Sequence, residues 1–332
     1  MPCTCSDRRR RGGLAALLLA TAACTLTTAP SFPRPPRPLP AEVRERFVLP
    51  GKPSLLRLDR RGDGSRLDGD LACGAETIHF HLYKADRPDR PFVLLVPILA
   101  GGDDLMRTLA TRFVDNGFHA AFCERAGPAL RPPQRGADLE RLFRRTVLHQ
   151  RALLAWLPEF GELQPTATFA CGVSMGGMVT AVLAAVEPRL EASAVCLAGA
   201  DLPTIVADSN ETRIESWRRW RRTEDGIAGA PLRQELRSCL QSDPLYLAPC
   251  VATERVFLVA TDFDDVVRPE HQRLLWEAFG RPERMSLPLG HYSAALALDS
   301  IVGAISGFFR DRMAAAAHDR ALVSGPAGAP GR

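Results

Sequence analysis

The sequence predicts an α/β protein: a mostly parallel central sheet with helices on both faces. Three observations predict it. Short apolar runs alternate with helix-period segments from Phe92 onward, the pattern of strand-helix-strand units that build a parallel sheet. Apolar residues make up 46% of the 332-residue chain, enough for a large core. One stretch, Cys171-Gly172-Val173-Ser174-Met175-Gly176-Gly177, sits between a short apolar strand and an apolar helix. There a sharp turn holds the serine in a strained conformation at a helix N-terminus, with glycines allowing the backbones to approach.

Taken in order, the first 24 residues read as a targeting segment. Arg8 to Arg11 form a positive region and Gly12 to Ala23 a short apolar one ending at Cys24, too short to span a bilayer. Two cleavage readings stand side by side. Ala20-Thr21-Ala22 is a small-residue site for ordinary secretion. Thr21-Ala22-Ala23-Cys24 is similar to a bacterial lipoprotein signal, with Cys24 as the lipidated residue and Thr21 where leucine is usual. Either implies an exported chain, anchored at the cell envelope or secreted. Residues 25–42 follow as a proline-rich linker that favours extended polyproline II and holds the folded part away from an anchor.

The formal charge of +4 depends on the leader. Without residues 1–23, which carry Arg8 to Arg11 and Asp7, it falls to +1. A nearly neutral chain offers no electrostatic case for nucleic acid.

The folded part is expected over 43–313. Residues 46–58 and 77–83 read as early antiparallel strands. His79 and His81 share a face of the second, and the neighbouring sequence supplies no cysteine or carboxylate pair to complete a metal site, so an exposed strand face is expected. Phe92 to Pro97 reads as a buried strand, then a helix to about Asn116. Phe118 to Cys123 is the next strand, and Asp138 is placed to cap a long helix after it. The elbow strand and helix follow, then strands at 192–197, 255–260 and 285–287, each with a helix after it. Catalytic groups of such a sheet belong at the carboxyl ends of the strands.

A serine nucleophile needs a base, and the base an orienting carboxylate. Of seven histidines, His291 directly follows the last strand within Gly290-His291 and precedes an apolar helix, so it can reach across the sheet top. The carboxylate is expected after the 255–260 strand, where Asp262, Asp264 and Asp265 crowd one turn. Asp264 is favoured, with Asp265 and Asp262 as alternatives and Asp201 as a distant one.

Gly172-Val173-Ser174-Met175-Gly176-Gly177, Asp264-Asp265-Val266-Val267 and Gly290-His291 together resemble the α/β-hydrolase superfamily, in the order Ser, Asp, His. The resemblance covers about residues 92–312 and is nearest to dienelactone-hydrolase-like and acetyl-esterase-like bacterial serine hydrolases. It implies an α/β-hydrolase fold and a carboxylic ester hydrolase working through a Ser-His-Asp triad and an acyl-enzyme on a small-molecule ester. The family's Gly-x-x-Asp-x-x-Val pattern places the acid at Asp264, with Thr261 where glycine is usual. The oxyanion hole would use the amide of Met175 and that of Ile98 or Leu99, since Pro97 has no N–H.

No metal or cofactor is implied. Gly101-Gly102 reads as a loop needing positive φ, and no Lys-Ser/Thr follows to make a phosphate-binding loop.

Between the 192–197 and 255–260 strands lies an insertion, about 202–250, too long for a simple connection. It is expected to form a small helical lid. Its helix at 211–222 carries Trp217 and Trp220 among five arginines, facing either substrate or solvent. Cys123, Cys171 and Cys196 fall in apolar strands and are expected as buried thiols, while Cys239 and Cys250 could pair in an exported chain. Residues from about Ala314 read as a disordered tail, 314–332.

Overall fold

The computed structural model describes residues 26–28, 34–99 and 103–323. The signal segment with its Arg8 to Arg11 run and Cys24 lies outside the described residues, as do Gly101-Gly102 and 324–332.

Among the described residues ten strands form one sheet. In chain order they are β1 (Leu26–Thr28), β2 (Ser54–Arg61), β3 (Arg66–Cys73), β4 (Glu76–Tyr83), β5 (Phe92–Val96), β6 (His119–Cys123), β7 (Thr168–Val173), β8 (Ala192–Cys196), β9 (Val256–Thr261) and β10 (Glu283–Leu287). Spatially they run β1-β10-β9-β8-β7-β5-β6-β4-β3-β2. The six strands from β10 to β6 are parallel. β4, β3 and β2 add antiparallel at one edge and β1 at the other. The chain moves from β5 outward to β6, then returns to the opposite side of β5 for β7. That reversal opens a crevice beyond the carboxyl ends of β5 and β7.

The parallel strands are apolar on both faces. Phe92, Leu94, Val96 and Ala170 enter one core and Val93, Leu95, Phe169 and Cys171 the other, as the alternation of a strand requires. The first core packs against α3 (Gly136–Trp156), α4 (Met175–Val186) and α9 (Pro269–Ala278). The second packs against α2 (Asp103–Asp115) and α10 (Leu298–Val323), where Phe169 stacks on Phe309 at 4.3 Å between ring centroids. The stretch Ser293–Asp319 is long and apolar enough to cross a membrane by composition alone. Its Ile301, Val302, Ile305 and Phe309, however, are buried on the sheet.

Several expectations change. Residues 41–46 form a short helix, α1 (Ala41–Arg46), and the expected two early strands are three, because β3 hides a Gly and two Asp in a half-buried ladder. Arg135, not Asp138, is the N-cap of α3, and Asp138 reaches back to accept from the Arg135 N–H at 2.8 Å. The proline-rich stretch does not stand off where it is described. Arg34 donates to the Ala278 carbonyl at 2.7 Å, and the Arg37 N–H donates to that of Pro249 at 2.8 Å. The last helix runs on to Val323, past the expected start of disorder, because Met313 to Ala317 includes four alanines, the strongest helix formers. Cys239 and Cys250 are both free thiols, as are buried Cys123, Cys171 and Cys196.

The segment between β8 and β9 holds α5 (Leu202–Asp208), α6 (Thr212–Glu224), α7 (Gly229–Cys239) and α8 (Pro244–Leu247). Its arginines are not alike. Arg221 is 1% exposed and forms a bidentate pair with Glu235 at 2.9 and 2.6 Å, with a third bond to Asp225 at 2.5 Å. It lies over the ring of buried Trp217, whose indole N–H donates to the Gln134 carbonyl at 2.8 Å. This half of the helix is a strut holding the segment to the loop before α3.

Candidate active site

Ser174 occupies the turn between β7 and α4 with φ 58° and ψ −123°, a conformation that costs a non-glycine residue energy and persists only when its surroundings impose it. Three glycines let them do so. A Cβ at Gly172 would overlap the Gly176 carbonyl and Thr180 Oγ1. One at Gly176 would overlap the Val96 carbonyl, and one at Gly177 would come within 2.8 Å of the Cys196 carbonyl. The Ser174 N–H donates to that Cys196 carbonyl at 2.9 Å. Close approach of β5, β8 and α4 thus lifts the hydroxyl above the sheet at the first turn of α4.

His291 stands on the loop after β10. Its Nε2 lies 3.0 Å from Ser174 Oγ and its Nδ1 2.8 Å from Asp264 Oδ2. With Nδ1–H donating to the carboxylate, Nε2 is left to accept from the serine hydroxyl, the tautomer this network specifies. The His291 side chain is 8% exposed and that of Asp264 fully buried.

A buried carboxylate needs donors, and Asp264 has four more. The N–H groups of Val266 and Val267 donate to Oδ1 at 2.9 and 2.8 Å, while Thr261 Oγ1 and Gln272 Nε2 donate to Oδ2 at 3.1 and 3.0 Å. Asp262 and Asp265 point to solvent, and Asp201 precedes α5 with φ 67°.

Thr261, which departs from the superfamily's usual glycine, adds a hydrogen bond here. Gln272 also holds the turn, with Oε1 accepting from the Thr261 N–H at 3.0 Å and Nε2 donating to the Val267 carbonyl at 2.7 Å. No motif marks Gln272; its place on α9, one turn in, is visible only once α9 packs against the end of β9.

Met175 is the first residue of α4, so its amide has no acceptor within the helix. Ile98 and Leu99 follow β5 and face the same cavity as Ser174. Arg125 and Arg213 both donate to the Leu99 carbonyl, Arg213 at 3.4 Å, a pairing the sequence does not signal.

That cavity has a volume of about 250 Å³ and an almost wholly apolar wall. Its lining includes Phe143, Ile205, Ile214, Leu298 and Ile301 together with Ser174 and His291. The arrangement offers a hydroxyl, an imidazole hydrogen-bonded to a buried carboxylate, helix-end amides and an apolar wall.

No protein-family model matches the chain, and no curated protein matches its sequence. Its shape does match solved structures. An esterase from Pyrococcus furiosus, Pf2001, is 11% identical with a TM-score of 0.53 over 86% of this chain and 100% of that one. An acetyl xylan esterase from Paenibacillus sp. R4 is 13% identical with a TM-score of 0.56 over 79% and 91%. The alpha/beta hydrolase GrgF from Penicillium sp. sh18 is 16% identical with a TM-score of 0.54 over 79% and 99%. At these identities the likeness is one of architecture: the chain has the α/β-hydrolase fold.

Proposed function

We propose that the protein is a serine hydrolase of carboxylic esters acting on a small-molecule substrate. The observation that carries the reading is the continuous hydrogen-bond chain from Ser174 Oγ through His291 to Asp264. The named neighbours, two esterases and a hydrolase of the same fold, add to it.

In this reading His291 Nε2 takes the Ser174 proton as Oγ attacks the ester carbonyl, and Asp264 holds the imidazole and stabilises the imidazolium. The amides of Met175 and of Ile98 or Leu99 receive the oxyanion, an effect of several kcal/mol per site. His291 then gives the proton to the leaving alcohol, and water, activated by the same imidazole, releases the acyl group. Helices α5 and α6 act as a lid over the apolar cavity. For location, the charged and apolar leader supports export, with either plain cleavage or lipidation at Cys24; mass spectrometry of the mature N-terminus separates the two.

Labelling the purified chain, residues 25–332, with a fluorophosphonate tests the chemistry. Labelling of the wild type that disappears in Ser174→Ala and His291→Ala, with turnover of short p-nitrophenyl esters, is the expected result. A folded wild type that neither labels nor turns over esters removes this reading.

A further inference from the structure

His81 lies on β4 with 7% of its surface exposed, against the exposed strand face its sequence position suggests. Its Nδ1 is 2.6 Å from Asp68 Oδ1 on the adjacent β3, so the ring is held in one orientation. Its Nε2 points toward two carboxylates from elsewhere in the chain: Glu124 Oε1, just after β6, at 3.3 Å, and Asp103 Oδ2, the first residue of α2, at 4.0 Å. The three donor atoms lie within 4.8 Å of one another. The sequence could not show this set, because its members are 22 and 21 positions apart and meet only through the sheet order β5-β6-β4.

We propose that His81, Glu124 and Asp103 form a binding site for a divalent transition-metal ion of the Zn²⁺ or Mn²⁺ kind. Zinc sits about 2.0–2.2 Å from imidazole nitrogen and carboxylate oxygen, so ligand atoms within 4.8 Å of one another can share it after side-chain rotations. Imidazole with carboxylates and room for water suits these ions better than Ca²⁺ or Mg²⁺, which prefer all-oxygen shells. Asp68 is the orienting carboxylate behind the imidazole, a usual companion of a metal-bound histidine.

The surrounding charges are accounted for. Arg61 and Arg66 pair with Asp68, and Arg107 lies 3.3 Å from Asp103 and 3.4 Å from the Tyr83 hydroxyl. Among the described residues, Glu124 has no ion-pair partner besides His81. An ion here ties the ends of β4 and β6 to the start of α2. It would brace the segment whose Leu99 carbonyl is gripped by Arg125, the residue after Glu124.

The test uses the full folded chain, stripped with a chelator and titrated calorimetrically with Zn²⁺. One ion per chain is expected. His81→Ala and Glu124→Gln should each weaken binding tenfold or more, and Asp103→Asn should act in the same direction. The two carboxylate variants change half-exposed side chains and keep the fold in play, with circular dichroism as the check. X-ray absorption of the zinc-loaded chain should show nitrogen and oxygen in the first shell without sulfur.

Affinity unchanged in all three variants, or a sulfur shell from the free cysteines, overturns the proposal. So does the absence of binding, in which case His81 only hydrogen-bonds Asp68 and Glu124 across the sheet. The result does not depend on whether Ser174 is a nucleophile.

Discussion

Gln272 Nε2 donates to Asp264 Oδ2 at 3.0 Å while its Oε1 accepts from the Thr261 N–H at 3.0 Å. One amide on α9 thus aligns the carboxylate that faces His291 and the strand end that precedes it. Gln272→Leu keeps the volume but strips these bonds. It should cost about 1–3 kcal/mol of stability and, on the hydrolase reading, lower ester kcat about tenfold with KM little changed. Urea unfolding and steady-state kinetics measure the two effects.

Asp264→Asn leaves the shape of the site but cannot hold His291 in the same tautomer. On the hydrolase reading, kcat should fall by about 10⁴. Asp262→Asn and Asp265→Asn, on the same turn but facing solvent, should stay near wild type. Parallel assays of the three variants on one p-nitrophenyl ester decide which aspartate works.

Gly176→Ala inserts a Cβ against the Val96 carbonyl, backbone that cannot swing aside as a side chain can. The overpacking should cost about 1–3 kcal/mol and shift the loop after β5. Thermal melts should show the loss, and on the hydrolase reading labelling of Ser174 by a fluorophosphonate should slow.

Arg221→Ala leaves Glu235 and Asp225 without their shared partner beneath α6. Breaking a buried ion pair on one side typically costs about 3–5 kcal/mol. Denaturation should report a loss of that order, whereas Arg219→Ala, in an exposed pair with Glu215, should cost under about 1 kcal/mol.

His119 is fully buried, with Nδ1 accepting from the Ala85 N–H at 2.9 Å and Nε2 facing the Pro88 carbonyl at 3.3 Å. Burial lowers its pKa from the ordinary 6.5. The unfolded chain therefore takes up a proton that the folded one resists. The stability contribution is complete above about pH 6.5 and declines as pH falls toward the lower folded value. Melting temperature should drop between about pH 7 and 5, and His119→Gln should flatten that slope.

The parallel core was legible because strands buried on both faces are continuous apolar runs, and those runs stand out at β5, β6, β7, β8 and β9. The edge strands were not. In β2 and β3 charged residues pair across the ladder, as Arg57 does with Asp70 and Arg61 with Asp68, and such pairing depends on register and not on local pattern. The Pro-rich stretch read as a spacer because composition reports stiffness and says nothing of the surface at Pro249 and Ala278 that receives it.

Ser174 and its glycines are legible in the sequence itself, since the motif is contiguous, although the strained turn is held by the Val96 and Cys196 carbonyls of β5 and β8. The placing of His291 after the last strand follows from chain order and the direction of a parallel sheet. Among Asp262, Asp264 and Asp265 the superfamily resemblance favours Asp264, but the support of its buried carboxylate is a matter of tertiary structure, because Gln272 reaches it only once α9 packs against the end of β9. The same holds for His81 beside Glu124 and Asp103. Contacts between residues far apart in the chain carry no local periodicity, and only the packing of the sheet brings them within reach.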